Sequence, residues 1–511
     1  MKKFKKYLTL LLLPFLFASC NDWFDGALPR DKNLESTQYS SESGIDAILN
    51  GIYRQMATSN LYGAKLTHTT LELMAHYYYY ENSSITSSFD FFNKTSTYQY
   101  AETVVKSEFQ NIWQDGYKTI FRINNFIENM KNSDVLPEYK KNVYLGEAYG
   151  LRAYMHLDLY RIFGENQIPY NTSSNVQAQT KLNKDDFFAK LLDDLETAKT
   201  LLAGDPILTE GVIDLNKAGA SALPTTTIFE EYYRNFRMNY YAVQALKARA
   251  LMYKGDVEQA AATAQSVIDN SFGSSDATPF RWLTADDFKW ADYIFYHEVI
   301  FGVYNLNLHG DWKTMVAGTQ PGVNYTVLED NLKQNIFADE SGGGNDMSIW
   351  EDYRARYWSY SPISASQFIS NKFTEYGRNR STTTGTAYQD PITNYQPLIR
   401  MSEMYYIVAE NMIDKEQIAD AVNLIYNIRI HRGSQLSTLI SRLDPTTATK
   451  AQAENLLLTE YYKEFFGEGQ VFFFLKRRGS TTIFNPQKAG TVSIEPENYI
   501  VPLPETETNY Y

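Results

Sequence analysis

The chain has 511 residues with 47 basic and 60 acidic side chains, a net charge of −13 and a single cysteine. That balance leaves no bulk positive charge to hold a polyanion such as nucleic acid, and one cysteine excludes an intrachain disulfide. Tyrosine, phenylalanine and tryptophan number 40, 29 and 7, or 15% of the chain, an excess that predicts half-wet surfaces where a ring packs and its hydroxyl reaches water or a ligand.

Residues 1–20, MKKFKKYLTLLLLPFLFASC, have the shape of an export signal. Lys2, Lys3, Lys5 and Lys6 form a basic start and Tyr7 to Phe17 an apolar run too short for a bilayer, which needs about twenty residues. Ala18, Ser19 and Cys20 follow in a bacterial lipobox arrangement, with Phe17 where leucine is usual. The expectation is a signal peptide over 1–19 and a mature chain, 20–511, hung by lipid on Cys20 rather than spanning a membrane. Loss of the four leader lysines takes the net charge to −17.

The next unusual stretch is LMAHYYYYENSS, 73–84. Four consecutive rings cannot all enter one core, because a helix turns about 100° per residue and a strand alternates faces. At least one should meet solvent, an edge or a ligand. Between Glu108 and Met130, Phe109, Ile112, Trp113, Ile120, Ile123 and Ile127 mark one stripe of an amphipathic helix. Tyr144, Ala148, Leu151, Met155, Leu159 and Ile162 repeat at helical steps, and Gly164 and Pro169 mark that helix's end.

Helix pairs follow at 238–270 and 400–433. The first turns at Lys254-Gly255-Asp256, with Ala245, Ala248 and Ala250 facing Ala260, Ala261 and Ala264; the second turns near Asp414 and stops at Gly433. Small residues at the crossing resemble tetratricopeptide repeats, so one helical layer is expected, interrupted by an insertion. The insertion, about 271–399, lacks sustained helical periodicity and carries Trp282, Trp290, Trp312, Trp350 and Trp358, five of the seven tryptophans. An even core would spread them, so some are expected to line a surface or cleft.

The helix GEAYGLRAYMHLDLYRIFGENQIPY, through Glu147, Arg152, Ala153, Tyr154, Asp158, Arg161, Phe163 and Gly164, resembles the signature helix of the SusD/RagB family of Bacteroidetes outer-membrane lipoproteins. LLLTEYYKEFFGEGQVFFFLKRRG, with Glu464, Phe466, Glu468, Gly469, Phe473, Leu475, Lys476 and Arg477, resembles its closing segment. PLIRMSEMYYIVAEN and NYIVPLPETE are similar to the opening of its last repeat and its extended end, while Tyr461, Tyr462 and Gln470 depart from its usual residues. The resemblance implies a mostly α, tetratricopeptide-like scaffold with a long irregular, aromatic-rich insertion forming the ligand-binding face. On that layout, 35–270 and 400–478 are helical, 271–399 is the insertion and 479–511 a tail. It further implies a surface lipoprotein that binds oligosaccharide and sits on a SusC-like TonB-dependent outer-membrane transporter. A minority branch handles peptides.

Catalysis has no local motif here: G-x-S-x-G, H-E-x-x-H, a phosphate-binding glycine loop and CxxC are all missing, and His68, His76, His156, His297, His309 and His431 are scattered. A non-enzyme is expected, with a surface glycoside hydrolase as the distant rival, since that chemistry needs only two carboxylates. Asp158 and Arg161 read as an ion pair or packing network. Asp339, Glu340, Asn345 and Asp346, around Gly342 to Gly344, offer oxygen ligands for calcium; otherwise no cofactor is expected. A sugar needs flat rings for its C–H face and amides, carboxylates or arginines for its hydroxyls. The family's cleft regions correspond here to Tyr77 to Tyr100 and roughly Tyr296 to Tyr360. The candidate ligand contacts are therefore Tyr77, Tyr78, Tyr80, Asn82, Phe89, Tyr98, Tyr296, Trp312, Trp350, Tyr353, Arg354 and Trp358, with Phe91 and Arg356 beside them.

Overall fold

The computed structural model describes residues 37–508, apart from 81–86, 176–179, 213–232, 274–277, 290, 318–324, 344–345, 363 and 374–390; side chains at 87–89, 341–343, 391 and 508 are also outside the description. Cys20, Asn82, Trp290 and Asn345, and the side chain of Phe89, therefore lie outside the described residues.

Helices dominate. Helix α1 (Glu42–Met56) starts at Ser41, whose side chain accepts from the Gly44 N–H, the usual way to satisfy a helix's orphan donors. After π-type turns over 59–70 come the single-turn α2 (Leu71–Met74) and α3 (Ser87–Ser96). The stripe predicted for 108–130 lies within α4 (Thr103–Lys131), and the next within α5 (Glu138–Phe163). Gly164 does follow the last turn of α5, but with φ −60°. Its role is space rather than left-handed freedom, because a Cβ there would lie 2.9 Å from the Tyr160 ring.

The scaffold continues through α6 (Lys184–Leu201), α7 (Tyr240–Lys254) and α8 (Val257–Ser271). Gly255, at φ +98°, ends α7 with its N–H on the Leu251 carbonyl, and Asp256 caps α8 by accepting from Gln259 N–H, the left-handed stop and acidic start expected of a tight helix pair. After the insertion come α9 (Met401–Asp414) and α10 (Ile418–His431). Consecutive helices from α4 to α8 pack in order, and α8 packs directly on α9. Two distant stretches of sequence thus make one helical layer, as the repeat pattern predicts. A short α11 (Leu436–Arg442), α12 (Lys450–Glu464) and α13 (Gln470–Arg478) close the chain's helical part.

The insertion supplies strands. β1 (Val299–Tyr304) pairs antiparallel with β5 (Tyr395–Arg400), and β2 (Val327–Leu328), β4 (Ser364–Ser370) and β3 (Trp358–Ser361) form a sheet in that spatial order. β6 (Thr482–Phe484) and β7 (Thr491–Ser493) make a hairpin near the end.

Helix α5 is buried nearly all round rather than along one stripe, as a helix must be when neighbours cover every face. Its polar residues are consequently clamped. Tyr53 donates to Glu147 at 2.7 Å, and Arg152 holds Asp194 through its Nε at 2.7 Å. Asp158 accepts from Tyr62 at 2.7 Å and from Arg161 Nε at 3.1 Å, while Arg161 also donates to Gln470 at 2.8 Å. The Asp158–Arg161 pair is a packing network under the repeats. Burying charge is tolerated only when each group finds partners.

The closing segment works the same way. Glu464 accepts from Arg432 at 2.6 Å and Arg354 at 3.1 Å, and Glu468 accepts from Lys372 and from Arg400 Nε, each at 2.7 Å. On either side of Glu468, Gly467 and Gly469 take positive φ; a Cβ on Gly469 would sit 2.6 Å from Leu71 Cδ1. Tyr462, where the family's residue differs, donates to the Ala75 carbonyl at 2.8 Å, and Tyr461 stacks on Phe474 at 4.0 Å.

A candidate ring-lined binding face

The four-tyrosine run divides after its second ring. Tyr77 and Tyr78 have no exposed surface, and their hydroxyls donate to the carbonyls of Tyr462 at 2.6 Å and His68 at 2.7 Å. Burial pushes both phenols well above their ordinary pKa. Tyr79 and Tyr80 are only half-buried. The split follows from tertiary pairing: Tyr79 N–H donates to the Thr326 carbonyl at 2.8 Å, and Gln487 donates to the Tyr80 carbonyl at 2.7 Å. The backbone is thereby held between the insertion and the C-terminal tail, with its last two residues only partly covered.

This pairing brings the two expected ligand regions together. Tyr325, half-buried and next to Thr326, meets Tyr78 edge-on at 5.2 Å and Phe92 at 5.2 Å, and half-buried Phe91 lies against Phe92 at 6.3 Å. The Tyr325 hydroxyl lies 3.0 Å from that of Thr69, and burial lifts its pKa to about 12. Asn331 donates to the carbonyls of His76 and Tyr77, tying the far side of the same junction. Along the strand edge, Tyr360 is 49% exposed. It pairs in register with Phe368, its ring 4.4 Å away, and its hydroxyl donates to Glu329 at 3.4 Å. Lys333 bonds Glu329 at 2.6 Å and rides 5.8 Å above the Tyr360 ring. Two groups of partly open rings result, Tyr79, Tyr80, Phe91 and Tyr325 around the junction and Tyr360 on the sheet with Lys333 and Glu329 beside it, each suited chemically to stacking on apolar C–H faces and bonding hydroxyls.

Most of the other candidates belong to the core, and the expectation of ligand contact is corrected for them. Trp312, 1% exposed, donates from Nε1 to the Ser370 carbonyl at 3.0 Å and packs on Phe466 and Phe373. Trp358 lies 4.7 Å from Phe466, and Trp350 is buried near Phe337. Tyr296 is fully buried with its hydroxyl on Asn235. These rings seal the insertion onto the scaffold: Trp312 does so from a short helix, Leu308–Val316, whose buried stripe is Leu308, Trp312 and Val316, and the others from turns and strands. The tryptophan concentration in the insertion is therefore explained by this joint for Trp312, Trp350 and Trp358. Arg354, with no exposed surface, is spent on Asp352 at 2.7 Å, Glu460 at 2.8 Å and Glu464 at 3.1 Å. It offers nothing to a sugar.

Tyr98, at φ +57°, is half-buried and donates to the Met74 carbonyl at 2.8 Å. Tyr353 is half-buried too, but it stacks on Phe288 at 4.7 Å with Arg356 over its ring at 5.0 Å. The loop that offers oxygen ligands for calcium in the sequence spends most of them on protein partners. Asp339 is bonded by Arg429 and Lys463, each at 2.6 Å, and held well below the usual carboxylate range by those cations. Glu340 pairs with Arg429 and, at 3.2 Å, Arg442, while Asp346 accepts from Ser348. Carboxylates already neutralised in this way leave little for a hard cation.

Sequence reasoning missed Tyr325, Glu329, Lys333 and Tyr360. Only the Tyr360–Phe368 register hints at them, and a single sequence does not reveal strand partners.

Two family profiles match in succession: one described as "Starch-binding associating with outer membrane" over residues 22–223, and one described as "SusD family" over 288–506. The chain belongs to the SusD/RagB family. A curated relative, SusD-like protein P2 of Formosa agariphila, is 24% identical over 277 residues, 53% of this chain and 47% of that protein, so the chain matches about half the length of that relative. Solved structures extend the likeness over the whole fold. A SusD homolog from Bacteroides thetaiotaomicron superposes with TM-score 0.65 at 16% identity, over 93% of this chain and 97% of that one. A SusD-like carbohydrate binding protein from Bacteroides vulgatus gives 0.60 at 15% identity, over 92% and 96%. Among the described residues of this SusD/RagB protein, no helix is long and apolar enough to cross a membrane.

Proposed function

We propose that this SusD/RagB protein is a non-catalytic surface lipoprotein, anchored through Cys20 in the outer membrane, that captures oligosaccharide and delivers it to a SusC-like TonB-dependent transporter. The observation that carries the reading is the partial exposure of aromatic residues where the two expected ligand regions meet, Tyr79, Tyr80, Phe91 and Tyr325, and of Tyr360 on the strand edge. Rings open on one side and braced on the other stack on pyranose faces at little entropic cost. Glu329 and Lys333 supply hydroxyl partners at the edge. The carbohydrate-binding relative of the same fold supports the choice of sugar.

The test is calorimetry of the chain from residue 21 onward against a panel of neutral and acidic oligosaccharides and unstructured peptides. Heat with a glycan, no turnover of it and none with peptides is expected. Binding of peptides alone, or hydrolysis of the bound glycan, overturns the proposal.

A further inference from the structure

A cavity of about 940 Å³ opens on different elements from the ring-lined face, between α1, the start of α5 and the end of β1. Its floor includes Tyr53 and Phe236, and Phe236 is braced by Tyr395 at 4.0 Å. Most of its charges are already matched. Lys140 bonds Glu42 at 2.8 Å and lies 3.6 Å from Asp46, which also accepts from Tyr144 at 2.6 Å. Arg237 lies over the Tyr53 ring at 4.7 Å and 3.6 Å from the fully buried Glu147.

Three lining groups are left with polar atoms uncommitted among the described residues. Asn50 and Arg54, one turn apart on the exposed side of α1, have side chains with no hydrogen bond or ion pair. Tyr304, 39% exposed, touches Phe236 at 6.4 Å and leaves its hydroxyl open. The cavity therefore presents a phenol ring, an amide and a single unmatched guanidinium over an aromatic floor. A ring takes a sugar's C–H face, an amide bonds hydroxyls in both senses, and a guanidinium grips an anion bidentately. The volume accommodates several sugar units.

We infer that this cleft is a second carbohydrate site that takes an acidic oligosaccharide, with the carboxylate or sulfate ester on Arg54 and a sugar face on Tyr304. The chain's overall negative charge does not prevent this, since repulsion from distant acids is screened beyond about 8 Å at physiological salt.

The inference shares the sugar chemistry of the proposed function but rests on separate residues, so the two can fail separately. The test titrates trigalacturonate, a sulfated galactan tetrasaccharide and a neutral galactan oligosaccharide of matching length into the wild-type chain and into Arg54→Met and Tyr304→Ala variants. At least one acidic probe should bind tighter than its neutral counterpart, with Arg54→Met weakening it about tenfold, the scale of one charge-assisted contact. Tyr304→Ala should weaken it as well. The carboxylate and sulfate arms separate the two sources of negative charge. Equal affinity for acidic and neutral probes, no binding of either acidic probe, or acidic binding indifferent to Arg54→Met overturns the inference, whatever happens at the ring-lined face.

Discussion

Replacing Arg354 by methionine separates a structural arginine from a sugar-binding one. Its guanidinium is fully buried and shared by Asp352, Glu460 and Glu464 at 2.7, 2.8 and 3.1 Å. Methionine fills much of the same space but removes the cation. Glu464 keeps Arg432 at 2.6 Å, and Glu460 keeps Lys463 at 3.4 Å; Asp352 is left with only backbone donation from residue 354, now at 2.8 Å. One stranded buried charge costs about 3–5 kcal/mol, a large share of a total stability of about 5–15 kcal/mol. The deficit should depend on pH. Nearby cations hold Glu460 and Glu464 below the ordinary carboxylate pKa, so their contribution is fully present above about 4.5 and is lost as pH falls through the depressed folded values. Without Arg354 those folded values rise, protonation relieves the strain earlier, and the gap between variant and wild type should narrow as pH drops from 7 to about 4. Urea unfolding followed by tryptophan fluorescence reads the loss, and calorimetry with a bound glycan reads affinity. An unfolding curve identical to wild type, together with lost glycan binding, would refute the reasoning and return Arg354 to the ligand site.

Other outcomes follow from the same geometry. Glu72 is fully buried, accepts from Gly469 N–H at 2.9 Å, and is pushed up to about 8 by burial. Because an acid with a raised folded pKa loses stability as pH climbs from its unfolded value toward its folded one, the wild-type urea midpoint should carry a downward slope from pH 5 to 8 that Glu72→Gln removes; an unchanged slope contradicts the burial account. Gly469→Ala, which forces a Cβ against Leu71 at positive φ, should destabilise by about 1–3 kcal/mol in thermal unfolding. Trp312→Phe should lose about 1–3 kcal/mol through the orphaned Ser370 carbonyl and the smaller ring, with glycan affinity unmoved in the folded fraction.

What could be read from the sequence was what is encoded locally. Apolar spacing located α4 and α5, and Gly255 and Gly433 stop helices through positive φ, a conformation glycine adopts freely. The repeat pairing across the insertion was legible because alanine-lined faces need a partner. Ring direction was not. Tyr78 and Tyr79 are neighbours with opposite fates, decided by a backbone bond from Tyr79 to Thr326, far along the chain. Arg354 looked like a ligand hand because its partners Glu460 and Glu464 are more than a hundred residues away. The buried tryptophans misled for a related reason. Aromatic residues in an aperiodic segment look exposed when the surface they seal against, here Phe466 on the closing segment, is remote in sequence.

The central claim, that glycan stacks on the open rings, is tested most directly by comparing the wild type with a Tyr80→Ala/Tyr360→Ala double variant in calorimetry against the tightest glycan of the panel. The account predicts affinity lowered at least tenfold, about 1.4 kcal/mol, with an unchanged unfolding midpoint, since both rings are partly open. Full affinity in the double variant would contradict it.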